Sequence, residues 1–163
     1  MAKLLLNLVV LILTLATCSE PAAVVPFSDL FLGITVGMDS SAGMDAAGSA
    51  GWTIDTSSLF SASGRFDFVP PQGEGRLGLS IDSGQVVLIT RQWWFFPPDS
   101  ASGWRLYDSL RTMLDRSFPK LDAGHEFWII DVKPDTIYMF IDVNRPLSEG
   151  GRFHVAAGVG SRL

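Results

Sequence analysis

The sequence predicts an α+β fold: a curved antiparallel sheet of about six strands with one amphipathic helix packed on one face. Three observations carry that expectation. From residue 64 onward, apolar and polar residues alternate with period two in one short segment after another. Turn-forming Gly, Pro, Asp and Ser residues separate those segments. One stretch in the middle instead repeats its apolar residues at helical spacing, which gives the order βββαβββ.

Phe66 and Phe68 alternate with Arg65 and Asp67, the pattern of a half-buried strand, and Pro70-Pro71 ends it. Leu77, Leu79 and Ile81 alternate in the same way before Asp82-Ser83-Gly84-Gln85. A two-residue turn through Ser83-Gly84 starts a return strand and sets Ile81 against Val86, Leu79 against Leu88 and Leu77 against Thr90. That strand continues through Trp93 to Phe96 and closes at Pro97-Pro98. Ser100 or Ser102 caps a helix from about Gly103 to Ser117, and Pro119 stops it. Trp104, Leu106, Tyr107, Leu110, Met113, Leu114 and Phe118 fall on one half of its wheel, while Arg105, Asp108, Thr112, Asp115 and Arg116 fall on the other.

A second hairpin follows, joined at Pro134-Asp135. A two-residue loop there sets Trp128, Ile130 and Val132 against Ile141, Met139 and Ile137 on a wholly apolar face. The opposite face carries Phe127, Ile129, Tyr138 and Phe140, interrupted by Asp131 and Asp142. A last strand between Gly150 and Val159 turns Phe153, Val155, Ala157 and Val159 to one side.

Upstream of the sheet, composition divides the chain into a signal peptide over 1–18, a Gly/Ser/Ala-rich, partly ordered tether over 19–51, and a single α+β domain over 52–163. The first segment has a short positive start at Lys3, an apolar run from Leu4 to Leu15, and the small residues Ala16 and Thr17. That is the three-part pattern of an export signal, and the run is shorter than the roughly 20 residues a bilayer-spanning helix needs. Leu15-Ala16-Thr17-Cys18 resembles the lipobox of bacterial lipoproteins over residues 1–19, with Thr17 standing where Gly or Ala is usual. The resemblance implies that Cys18 becomes the first mature residue and carries acyl chains anchoring the protein to a membrane of the cell envelope. Ser19 implies sorting to the outer membrane if the source is Gram-negative. Ordinary cleavage near Cys18 or after Ala23, releasing a soluble secreted or periplasmic protein, is the alternative.

Composition narrows the function classes further. The 17 carboxylates against 12 Lys and Arg give a net charge of -5, and the basic residues are scattered, which argues against a nucleic-acid partner. Cys18 is the only cysteine, so no intrachain disulfide and no cysteine-based zinc site forms. Gly73-Glu74-Gly75-Arg76-Leu77-Gly78 has the spacing of a dinucleotide-binding turn, but Pro70-Pro71 precedes it and a strand follows it. A phosphate cradle needs a strand before and a helix N-terminus after, so the match is fortuitous. No cofactor or metal is expected.

His125, Glu126 and His154 supply the groups for an alternative reading as a secreted, hydrolase-like enzyme, and Asp131 with Asp142 are candidates for an acid/base pair. The register above puts those two aspartates at opposite ends of their hairpin. The leading reading rests on Trp93-Trp94-Phe95-Phe96. In a strand, Trp93 and Phe95 point to one face and Trp94 and Phe96 to the other, so both faces are apolar at this end. One helix covers one face. The second is covered by residues 24–60 or by curvature of the sheet, or else it forms a groove for a lipid, an apolar peptide or a partner protein. The leading expectation is therefore a non-catalytic envelope lipoprotein that binds a partner protein or an apolar ligand through an aromatic sheet face. A purely structural envelope component is the third reading.

Overall fold

A computed structural model describes residues 27–57, 64–72, 75–96, 100–121, 126–131, 136–144 and 153–161. Cys18, His125 and the Pro134-Asp135 turn lie outside the described residues. Among the described residues, seven strands form one open antiparallel sheet: β1 (Thr53–Ile54), β2 (Arg65–Val69), β3 (Gly75–Asp82), β4 (Gln85–Phe95), β5 (Phe127–Asp131), β6 (Ile137–Asn144) and β7 (Phe153–Gly160). Their spatial order is β1-β2-β3-β4-β7-β6-β5. Two meanders, β1 to β4 and β5 to β7, thus meet along their last strands. Helix α3 (Ser100–Ser117) joins them; α1 (Phe27–Leu30) and α2 (Ser40–Ser49) precede the sheet.

The residues that line up across the ladders explain where the core sits. Phe66, Leu79, Ile89, Val159, Met139 and Trp128 form one continuous row, and Phe68, Leu77, Arg91, Ala157 and Ile141 form the next on the same face. Both α2 and α3 cover that face. Leu110 and Leu114 of α3 are buried on it, and the buried indole of Trp128 donates from Nε1 to Asp115 Oδ1 of α3 at 3.0 Å. Each such fully buried large apolar side chain contributes about 1.5–3 kcal/mol. Gly103 lets α3 come close, because a Cβ there would lie 2.3 Å from Phe153 Cε1 and 2.9 Å from Phe95 Cδ2. At the β5 edge, Leu121 N donates to Phe127 O and Ile129 N to Pro119 O, so the chain leaving α3 caps part of the exposed ladder.

Four expectations need correction. The segment 27–51 is not a tether but a docked arm. Asp39 caps α2 by accepting from Ser41 N at 2.9 Å, and Gly51, at φ 82°, ends it with Trp52 N donating to Ala47 O and Gly51 N to Gly48 O. Gly43 and Ala47 are the buried residues of α2, and their small size lets the helix lie against Val86 and Leu79. The strand count is seven because Thr53–Ile54 pairs with Phe68 and Val69. In the β3–β4 hairpin the turn at Ser83 (φ 52°) and Gly84 (φ 80°) forms as expected, with Ile81 opposite Val86. A β-bulge then shifts the register, so that Leu79 faces Ile89 and Leu77 faces Arg91. Val86 and Ile89 both reach the core by this shift.

The fourth correction is the β5–β6 register: Trp128 faces Met139 and Phe127 faces Phe140, two residues away from the expected pairing, with a second irregularity before Asp131. A shift of two preserves the side-chain faces, so Trp128, Met139 and Ile141 are still core. No helix among the described residues is long and apolar enough to cross a membrane.

Candidate functional site: the sheet face without helices

The opposite sheet face is covered by no helix among the described residues. Its rows run Asp67, Gly78, Thr90, Gly158, Phe140 and Phe127; then Arg76, Gln92, Ala156 and Asp142; then Trp94, His154 and Asn144 at the end. Interior strand β7 contributes the small, buried residues Ala156, Gly158 and Gly160, with larger side chains on either side. Gly158 is needed there: a Cβ would come within 2.3 Å of Phe140 Cζ, so the Phe140 ring leans across its backbone. The Phe127 ring joins it, 5.8 Å between centroids and tilted by 40°. Tyr138 and Trp94 are half-buried on the same face.

The β1–β3 side of the face is ionic. Asp67 is only 2% exposed and lies between two arginines, with Arg65 Nε at 3.2 Å and Arg76 Nη1 at 3.5 Å. Arg76 also reaches Asp55 Oδ2 through Nη2 at 2.9 Å, and its guanidinium lies 5.8 Å from the Trp94 ring centroid. The Ser57 hydroxyl, with help from the Ser57 backbone and Arg76, holds the Asp55 carboxyl below the usual range against a smaller opposing effect of burial. Gly78 makes room for the cluster, since a Cβ would sit 2.6 Å from Thr90 Oγ1 and 3.0 Å from Asp67 Oδ1. Arginine residues and half-buried aromatic rings thus share this face, with small, buried residues between them.

The four aromatic residues singled out from sequence are divided by this architecture. Trp93 and Phe95 turn to the helix-bearing face and pack on the core, Trp94 lies on the other face, and Phe96 is 39% exposed beyond the end of β4. Residues 27–52 cover the same face as α3 rather than the second one. Arg91 explains how they are held. Its Nη1 donates to Leu30 O at 2.9 Å, and its guanidinium lies 5.1 Å from the Trp52 ring centroid and 5.3 Å from that of Trp93. Burial lowers its pKa from the ordinary value, and its Nε is buried without an acceptor.

The acid/base candidates are not brought together. Glu126 pairs with Lys120 at 3.1 Å and Arg111 at 3.5 Å on the helix-bearing side, whereas His154 lies on the other face beside Trp94. Asp131 and Asp142 register at opposite ends of the β5–β6 hairpin, against Ile137 and Ala156. Gly75 and Gly78 of the glycine-rich stretch are strand residues of β3, with no helix following. No group of three or more potential metal ligands occurs among the described residues. Sequence reasoning missed Asp55, Asp67 and Arg76 because each reads alone as a solvent-facing charge. No protein-family model matches the chain, and no curated protein or solved structure matches it either.

Proposed function

We propose that the chain is an exported lipoprotein of the bacterial cell envelope, acylated at Cys18, that acts as a non-catalytic binding module. Its helix-free sheet face holds an apolar ligand or the apolar surface of a partner protein. The observation that carries this reading is the set of half-buried aromatic residues Trp94, Tyr138, Phe140 and Phe127 around the small, buried residues Ala156, Gly158 and Gly160, on a face that no helix among the described residues covers. Aromatic side chains supply large contact areas at small conformational cost, which is why they concentrate where proteins bind apolar partners. The pairing of Glu126 with Lys120 and Arg111, on the opposite side from His154, favours binding over hydrolase-like chemistry.

The test is a pair of single substitutions, Trp94→Ala and Phe140→Ala, in the full-length protein purified from the envelope. Both residues are half-buried at the surface, so folding should survive while whatever co-purifies with the native chain is lost. Unchanged co-purification in both variants, with intact melting curves, sinks the proposal.

A further inference from the structure

We draw no further inference here: the strongest candidate, the surface patch of the helix-free sheet face where Arg76, paired with Asp55 and Asp67, lies 5.8 Å from the Trp94 ring centroid, belongs to the site already described, and nothing in the structure shows what covers it.

Discussion

A single added methyl group should move stability in opposite directions at two helical glycines. Gly48 in α2 is exposed, and a Cβ built on it meets nothing within 4 Å. Gly48→Ala therefore gains only helix propensity, about 0.5–1 kcal/mol. Gly103 in α3 is buried, and its Cβ would fall 2.3 and 2.4 Å from two carbons of the Phe153 ring. Phe153 is 4% exposed and cannot swing into solvent, so α3 must lift from the sheet. Overpacking of this kind costs about 1–3 kcal/mol, and the same propensity gain offsets part of it, leaving a net loss of up to about 2.5 kcal/mol. For a chain of this size each kcal/mol moves the melting temperature by about 2–4 °C. Gly103→Ala should then melt up to about 10 °C lower than the parent and Gly48→Ala about 1–4 °C higher. Urea denaturation with an unchanged slope would attribute both shifts to stability. If Gly103→Ala stabilises as Gly48→Ala does, the close approach of α3 to Phe153 and Phe95 is wrong.

Other perturbations probe the arm and the open face. Arg91→Met removes the bond to Leu30 O and the stacking on Trp52 and Trp93, and should cost about 1–3 kcal/mol, with amide exchange rising first across residues 30–52. A uniform rise across the whole sheet would contradict the clamp. Gly158→Ala should displace the Phe140 ring and destabilise by about 0.5–2 kcal/mol, and Phe140→Leu in the same chain should relieve part of that loss. Strict additivity of the two would mean the ring does not lean on Gly158. With pH, the Ser41 hydroxyl and backbone hold the Asp39 carboxyl low, and the Ser57 hydroxyl does so for Asp55. Their stabilising effect is full above the unfolded carboxyl pKa of about 3.9 and is lost as pH falls through the lower folded values. Burial, and then Glu126, raises the Tyr107 pKa, so its effect is full below about pH 10 and is lost as pH rises through the folded value. Titration of these groups by NMR against Asp39→Asn, Asp55→Asn and Tyr107→Phe checks each sign.

Local patterns made much of this architecture legible. The amphipathic stripe of α3, the Ser83-Gly84 turn and the inward set of β7 follow from periodicity and turn chemistry within a few residues of sequence. The bulge in β4 was not legible because Val86, Val87, Leu88 and Ile89 are all apolar, so either register keeps this stretch of the core face apolar. Helix α2 lacked an apolar stripe, since close packing through Gly43 and Ala47 leaves no periodic signal; Asp39 and Gly51 were its only readable marks. The β4–β7 pairing joins distant parts of the chain and decides that the two meanders share one face. That pairing sets His154 beside Trp94 and away from Glu126, which no spacing along the sequence could show. The Asp55–Arg76–Asp67 cluster likewise needs three strands side by side before it exists.

The most direct test of an acylated binding module is a native mass spectrum of the full-length chain extracted gently from a bacterial envelope, beside that of Trp94→Ala. The account predicts a mass beginning at Cys18 with acyl chains added, together with a non-covalent ligand or partner that Trp94→Ala fails to retain. An unmodified chain beginning after residue 18, with nothing bound in either protein, would contradict it.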